Sequence, residues 1–357
     1  LIDQSSLDKC DETSKRICCP SANTCTVGVV ASAPGADIES CRAAVCARII
    51  SLVLGHSVRS NVINQLTNML NKGVVPVLSS EELAGAQLLA VITGVSGNCY
   101  RLVDGKNSIQ SSEDALASID CDNFVLLEYE KKALLSGHFF TAGIACYLGS
   151  AAKGVYSYLD CVSAYSCEAI GDINGYIIES IDAQLFDTGR QHRGQMQSAA
   201  NLRLLLEGSQ RVVPGGKKGA TPSTETVSDA YMHIPQVHGP VQEVVAGTLK
   251  MLEIELNGYQ VSSNITLNTT QIVVAMEMLT AVFKSANVAC MQRITALKNT
   301  TGSNVPSLPG LISASSSTAA DKLYDIIIDL SDSLKEEAEL AGAQLDVINA
   351  TKTAKTN

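Results

Sequence analysis

Residues 271–297 constrain the fold most, because they have the length of a long helix and are apolar on nearly every side. A surface helix of a globular protein has one polar face, so a helix without one is surrounded by other helices. Hydrophobic residues make up 46% of the chain, aromatic residues only 4%, and Trp is absent. An interior filled by Ala, Leu, Val and Ile is typical of packed helices. The sequence therefore predicts an all-α bundle of long helices.

Helical periodicity also appears elsewhere in the chain. Apolar residues recur at helical spacing in 60–72, 241–256 and 323–349, and small residues that favour close helix packing fill 133–170. Each of these segments is predicted to be a helix of the bundle.

The chain divides by composition into three parts. Residues 1–40 are predicted to be a Cys-rich, loop-dominated segment, 41–350 a helical domain, and 351–357 a polar tail. Gly, Pro and Ser cluster near 209–228 and 299–317, and these stretches are predicted to be exposed loops.

The charge of the chain bounds its partners. A formal net charge of −10 argues against nucleic acid, which requires clustered Lys and Arg. No run of about 18 to 20 uninterrupted apolar residues occurs, so we expect no membrane span. The chain starts at Leu1 rather than at Met, and we expect a soluble, processed protein.

Cysteine is abundant, with twelve residues, six of them before residue 47. Their spacing is irregular and lacks the paired motifs of zinc sites, which favours disulfides in an oxidising compartment. The six later cysteines could instead be buried free thiols, and one pairing that their loop-like surroundings favour is Cys99 with Cys121. The disulfide candidates are Cys10, Cys18, Cys19, Cys25, Cys41, Cys46, Cys99, Cys121, Cys146, Cys161, Cys167 and Cys290.

Four N-x-S/T sequons add to this interpretation, at Asn264, Asn268, Asn299 and Asn349. Together with the cysteines, they predict a secreted, extracellular glycoprotein that carries N-linked glycans.

Three stretches, 68–90, 181–210 and 227–240, resemble the histidine and phenylalanine ammonia-lyase family. The family's Arg-x-His-x-Gly-Gln run and its later Pro-Gln-Val-His-Gly run are the most specific matches. The resemblance implies a fumarase/aspartase-like helical fold and a homotetramer. The matching residues are Arg190, His192, Gly194, Gln195, Leu205 and Pro235 to Gly239.

The resemblance also implies catalytic positions, and several differ in this chain. The family makes its electrophile, a methylidene-imidazolone, from Ala-Ser-Gly in a catalytic loop; we place Ala84-Gly85-Ala86 there, and Gly85 has no side chain to eliminate. Ser136 replaces the Asn that supports the ring, and Ser228 replaces a Gln. Tyr231 is retained, but the carboxylate-binding Arg that follows it in the family is missing, as is the family's early Tyr loop.

These differences predict a catalytically degenerate pseudoenzyme without a cofactor. Our first hypothesis is a structural subunit of an extracellular oligomer, filament or matrix, a tetramer or larger, with other extracellular proteins as further partners. The alternatives are an amino-acid binding protein that uses the degenerate cleft and an enzyme with altered chemistry. His233 and His238 could hold a metal, and Ser136 with His138 could form a nucleophile and base, but a structural role is favoured for each.

Overall fold

The computed structural model describes most of the chain. The chain divides into two compact units. The first comprises Leu1–Tyr147 and Lys250–Val273, the second Leu148–Leu249 and Val274–Asn357. The Cys-rich segment 1–40 lies almost entirely outside the described residues, and the two predicted loops lie largely outside them. The described residues are 4, 7–10, 36–103, 106–119, 125–172, 174–189, 191–213, 228–258, 269–301 and 319–356.

The first unit combines short helices with a small sheet. Its second helix has the predicted apolar stripe, in which Val62, Leu66 and Met69 are buried. The first helix, α1 (Ile38–Leu54), has a side-chain cap: the Asp37 carboxylate accepts hydrogen bonds from two of its first-turn amides, at 3.1 Å each. The elements are α1 (Ile38–Leu54), α2 (Ser60–Asn71), β1 (Val74–Pro76), α3 (Glu81–Ile92), β2 (Asn98–Val103), β3 (Lys106–Ser111), α4 (Ser112–Ala117) and α5 (Glu128–Leu135).

The antiparallel sheet has the order β1-β2-β3. Val75 pairs with Tyr100, which pairs in turn with Ile109. Pro76, which lacks an N–H, lies on the edge strand β1, where a missing donor is tolerated. The sheet fixes the start of the segment that leads from β1 into α3.

The second unit consists of long helices packed around a core that contains polar side chains. The prediction of an all-α bundle of long helices is confirmed, and the last helix continues through the predicted polar tail to Thr356. Residues 139–147 of α6, 250–256 of α10 and 270–273 of α11 belong to the first unit, and the rest of the elements that follow α5 belong to the second. These elements are α6 (Phe139–Ile170), α7 (Tyr176–Ser180), a π-helical turn (Gln184–Gly189), α8 (Arg193–Leu205), α9 (Asp229–Met232), α10 (Ile234–Leu256), α11 (Thr270–Thr301) and α12 (Ala319–Thr356).

Helix α11 contains the apolar segment of the sequence analysis. It is long and apolar enough to cross a membrane by length and composition alone, and 44% of its most apolar window is buried. Val274, Met278 and Val288 are exposed. Within this chain, one side of α11 is covered and another is open, and the expectation that other helices surround it stays a prediction.

An ion pair inside the second unit joins α11 to α12. Arg293 and Glu337 are both fully buried, and the guanidinium donates two hydrogen bonds to the carboxylate, at 2.6 and 3.1 Å. The Cys290 thiol donates a third to Glu337, at 3.0 Å. Buried charges need such pairing, because an isolated one would be strongly destabilising.

The disulfide prediction is wrong for the cysteines that the structure describes. Most of these thiols are buried and packed as small, weakly polar side chains, whereas Cys46 and Cys161 are exposed. Burial raises the pKa of Cys41 to about 11 and that of Cys99 to about 12. Cys18, Cys19, Cys25 and Cys121 lie outside the described residues. The free thiols are Cys41, Cys46, Cys99, Cys146, Cys161, Cys167 and Cys290. Cys10 is buried, with its sulfur 3.5 Å from the Nδ1 atom of His56.

Candidate active site

The segment between β1 and α3, residues 77–80, is held on both sides by the first unit. The Val77 amide donates to the Asn98 carbonyl at 2.9 Å. Leu78 donates its amide to the Cys41 sulfur at 3.3 Å and accepts from the Ala36 amide at 2.8 Å. These contacts present the next two residues, Ser79 and Ser80, at a defined position before α3.

The two serines have different surroundings. The Gln87 side chain makes two hydrogen bonds to Ser79: its oxygen accepts from the Ser79 amide at 3.0 Å, and its nitrogen donates to the Ser79 hydroxyl at 2.8 Å. Ser80 is the N-cap of α3 in an extended conformation, and its side chain makes no capping hydrogen bond. Its carbonyl accepts from the Ala84 amide at 2.8 Å. The backbone of Ser80 is therefore fixed, while its hydroxyl remains available for chemistry.

Ala84, Gly85 and Ala86 lie within α3 rather than in the segment before it. A β-carbon at Gly85 would lie 3.0 Å from the Leu135 Cα atom and 3.1 Å from the Leu134 carbonyl oxygen. Gly85 is thus a close-packing position between α3 and α5. Because amides inside a helix are committed to its i→i−4 bonds, this tripeptide cannot close into a ring.

The first turn of α3 faces the start of α6 through Glu81. One oxygen of the Glu81 carboxylate accepts from the Thr141 amide at 2.6 Å. The other lies 4.0 Å from the Nδ1 atom of His138, and neither of these two atoms has a hydrogen-bond partner among the described residues. The side chains are partly exposed, Glu81 by 20% and His138 by 35%. This pair of a carboxylate and an imidazole can bind an ammonium group or accept a proton.

Ser136 and Gly137 connect α5 to this pair. Ser136 ends α5 and donates its hydroxyl to the Ala133 carbonyl at 3.0 Å, and Gly137 follows with a φ of +91°. The left-handed conformation favours Gly at this position. The segment that the resemblance places beside the electrophile is therefore close to α3 and its N-terminus. Ser136 bonds its own helix rather than His138.

Arg48 of α1 belongs to the same candidate site as Glu81 and His138, because its charge interacts with that of Glu81. Its guanidinium is buried, stacks on Phe139 with 5.2 Å to the ring centroid, and donates to the Ser51 hydroxyl at 3.3 Å. Burial lowers the pKa of Arg48 to about 10, although the negative charge of Glu81 opposes this shift. Arg48 therefore stays charged at neutral pH.

The other sequence-predicted positions belong to the second unit. Ser228 is the N-cap of α9, and its hydroxyl accepts from the Ala230 amide at 3.4 Å. Tyr231 is fully buried, and its hydroxyl is 2.9 Å from that of Ser166. Burial raises the pKa of Tyr231 well above its ordinary value. His233 lies 2.9 Å from the Asp229 carbonyl oxygen through its Nδ1 atom.

His238 belongs to a buried polar network. Its Nδ1 atom is 2.8 Å from Asp160, which also accepts from Ser198 at 2.6 Å and from Asn201 at 2.8 Å. Burial opposes ionisation of Asp160, yet these hydrogen bonds, led by that of His238, hold its pKa below the ordinary value. Burial lowers the pKa of His238. Each His thus has its own separate contacts; among the described residues no group of three or more His, Cys, Asp or Glu could hold a metal ion.

The family model described as aromatic amino acid lyase matches residues 21–319. The chain belongs to the aromatic amino acid lyase family. It is 29% identical over 227 residues to the histidine ammonia-lyase of Caldanaerobacter subterraneus subsp. tengcongensis, covering 61% of this chain and 42% of that protein. It is 30% identical to the histidine ammonia-lyase of Streptococcus gordonii, with the same coverage. The chain thus matches less than half the length of these curated relatives.

Solved structures of lyases and aminomutases share the fold. The tyrosine aminomutase of Streptomyces globisporus superposes with a TM-score of 0.76 at 19% identity, over 97% of this chain and 84% of that one. The histidine ammonia-lyase of Trypanosoma cruzi superposes with a TM-score of 0.69 at 17% identity, over 90% and 69%.

These relatives overturn the functional prediction. The non-catalytic, structural extracellular subunit and its status as a pseudoenzyme are wrong, because the related proteins are histidine ammonia-lyases. The prediction rested on the absence of a serine at Gly85, and that residue packs inside a helix while two serines precede it.

The secreted, extracellular localisation is also wrong, because the relatives are bacterial histidine ammonia-lyases and the described cysteines of the predicted disulfide framework are not cross-linked. The glycan prediction depended on that localisation. Asn299 and Asn349 are exposed on α11 and α12, and Asn264 and Asn268 lie outside the described residues.

Three residues of this candidate site were not predicted from the sequence. Ser80 was not predicted because the comparison with Ala-Ser-Gly selected Ala84-Gly85-Ala86, in which Gly85 lies five residues further along the chain. The signal that could have found it is the Ser-Ser-Glu-Glu pattern of a helix start, which begins three residues after Pro76, since a Ser followed by acidic residues marks an N-terminus. Arg48 and Glu81 gave no such signal, because their neighbours in space are distant in sequence.

Proposed function

We propose that this chain is a lyase that eliminates ammonia from an aromatic α-amino acid, with its reactive serine at Ser80. The observation that supports this most is the position of Ser80: the segment before α3 is held rigidly, while the Ser80 hydroxyl makes no capping bond. The relatives' names supply the reaction class.

The family's self-made electrophile is compatible with Ser79, Ser80 and Glu81. Ser80 would supply the carbon that becomes electrophilic, and this tripeptide lies at the helix start, where the Glu81 amide has no i→i−4 partner within α3. When formed, the group supplies an electrophile that makes the amine a better leaving group. Glu81 occupies the position of the family's Gly, and this is the main difference between Ser79-Ser80-Glu81 and Ala-Ser-Gly.

The chain's own residues then have distinct tasks. Elimination breaks the bond from Cα to nitrogen and a bond from Cβ to hydrogen, forms the carbon–carbon double bond, and releases ammonia. The unbonded Glu81 oxygen, with His138 4.0 Å away, is placed to accept a proton. The N-terminus of α3 stabilises negative charge that develops near Ser80.

Absorbance and turnover of the purified chain test this proposal. We expect a near-ultraviolet band beyond that of the tyrosines, and release of ammonia and an unsaturated acid from L-histidine, L-phenylalanine or L-tyrosine. Ser80→Ala should abolish both, whereas Glu81→Gln should abolish turnover only. Ser157→Ala is the matched control, because Ser157 is exposed and bonds only the Lys153 carbonyl of its own helix. A band and turnover that survive in Ser80→Ala would refute the assignment.

We also propose that the chain forms a homo-oligomer. The exposed apolar side chains of α11, Val274, Met278 and Val288, support this proposal, since contact with another copy would remove them from water. Light scattering after size exclusion would test it; a monomer at micromolar concentration would contradict it.

A further inference from the structure

Arg48 is a buried cation without a buried anion beside it. Only 5% of the residue is exposed. Among the described residues no Asp or Glu lies within ion-pair distance of its guanidinium, and its Nε atom has no hydrogen-bond partner there. Its one hydrogen bond among these residues is the 3.3 Å contact with Ser51. An ionised group in this state is destabilising unless something else pairs with it.

Two other arginines of the chain, unlike Arg48, have carboxylate partners. Arg59 makes two 2.8 Å bonds to the buried Glu130, and Arg293 is paired with Glu337. Both therefore have a structural carboxylate. Arg48 has the aromatic face of Phe139 instead, which stabilises a cation but leaves the guanidinium N–H groups for another acceptor.

The backbone of Gly137 packs closely against the Arg48 guanidinium. A β-carbon at Gly137 would lie 3.0 Å from an Arg48 terminal nitrogen, so a larger residue would crowd the guanidinium. The adjoining His138 and Glu81 side chains are 35% and 20% exposed, although their facing atoms, Nδ1 of His138 and Oε1 of Glu81, are buried and without a hydrogen-bond partner among the described residues. Arg48 offers positive charge there, and Glu81 offers negative charge at the start of α3.

We propose that Arg48 binds the carboxylate of the amino-acid substrate, with the ammonium group directed to Glu81. This inference rests on the proposed function. It gives the chain a carboxylate-binding Arg on α1, in place of the Arg that the resemblance expects after Tyr231 and that the sequence lacks. A guanidinium is suited to the task, because its planar donors bind a carboxylate with two parallel hydrogen bonds.

Ligand pairs that differ only in the carboxylate test the proposal without any mutation. We expect L-phenylalanine to bind the wild-type chain at least about tenfold more tightly than phenethylamine, and L-histidine likewise against histamine, since hydrogen bonds to a charged group are stronger than those between neutral groups. Isothermal titration calorimetry measures both pairs. Equal affinities within each pair would overturn the proposal.

Substitutions of Arg48 add a second readout. Arg48→Lys keeps the charge but loses the two-bond geometry, and should raise KM for the amino acid about tenfold or more with a smaller change in kcat. Arg48→Met should abolish the preference for the amino acid over the amine. It should also leave the melting temperature of the ligand-free chain unchanged or higher, because it removes an unpaired buried charge. A purely structural Arg48 would instead lower the melting temperature and leave the ligand preference intact.

Arg42→Met is the matched control on the same helix, because Arg42 is partly exposed and pairs with Glu39 at 3.7 Å. It should change neither the affinity nor the preference. If the wild-type chain discriminates by the carboxylate and Arg48→Met loses this discrimination, but the wild type shows no ultraviolet band and no turnover, the proposed function fails while the assignment of Arg48 stands. If turnover occurs and Arg48→Lys leaves KM unchanged, the assignment of Arg48 fails alone.

Discussion

The ion pair between Arg293 and Glu337 allows a quantitative test of the helix packing in the second unit. Both side chains have no exposed area, and two hydrogen bonds join them. Burial alone would lower the pKa of Arg293, but the charge and hydrogen bonds of Glu337 raise it above its ordinary value. Glu337→Leu leaves a buried guanidinium without its partner, which should reduce the free energy of unfolding by about 3–5 kcal/mol.

The double variant separates the loss of the pair from the cost of the orphaned charge. Arg293→Met with Glu337→Leu removes both charges and fills the space with apolar atoms, so we expect stability close to that of the wild type or higher. The difference between the double variant and the two single variants should give a coupling energy of at least about 2 kcal/mol. Urea unfolding followed by far-ultraviolet circular dichroism measures all four chains.

An exposed pair provides the control for this cycle. Lys250 and Glu253 are 68% and 58% exposed and 2.7 Å apart, so Glu253→Gln should change stability by less than about 1 kcal/mol. If Glu337→Leu reduces the free energy of unfolding by no more than this control does, the interpretation of Arg293 and Glu337 as a buried ion pair that needs both partners is refuted.

Further predictions concern the packing, the thiols and the buried histidine. Gly85→Ser should destabilise the chain, because the new side chain would meet the backbone of α5, and it should create no ultraviolet band. Gly154→Ala is its control: a β-carbon there meets nothing within 4 Å, so the variant should gain up to about 1 kcal/mol of stability from the higher helix propensity of Ala. Iodoacetamide followed by mass spectrometry should label the exposed Cys161 in the folded chain and leave the buried Cys290 unmodified; a disulfide at either position would contradict the structure. Because burial lowers the pKa of His238 from 6.5, the unfolded chain binds its proton first, so stability should be complete above that pH and decrease as the pH falls below it. The melting temperature of His238→Asn should depend less on pH in the same range, and an equal dependence would disprove this role.

The sequence predicted the helices well, because their signals are local. The stripe in α2 and the long apolar run in α11 set the helical period directly, and the resemblance identified the fold. The sheet was not predicted, since β1 has only three residues and its stability comes from pairing with β2. The number of cysteines did not predict the state of the described ones, because the sequence does not distinguish a free thiol from a cysteine in a disulfide.

The active site was harder to predict than the fold. The comparison with Ala-Ser-Gly selected the similar letters at Gly85, although a helix interior excludes ring closure there. Arg48, Glu81 and His138 come from three segments that only the folded chain brings together. Their chemistry follows from burial and missing partners, which are properties of the structure and leave no pattern in the sequence.

The most direct test of the account is the near-ultraviolet spectrum of the wild-type chain recorded beside that of Ser80→Ala, with ammonia release from the three aromatic amino acids measured on the same samples. The account predicts a band and ammonia release in the wild type and neither in Ser80→Ala. A wild-type chain that lacks both, while its circular dichroism shows the helical fold intact, would contradict it.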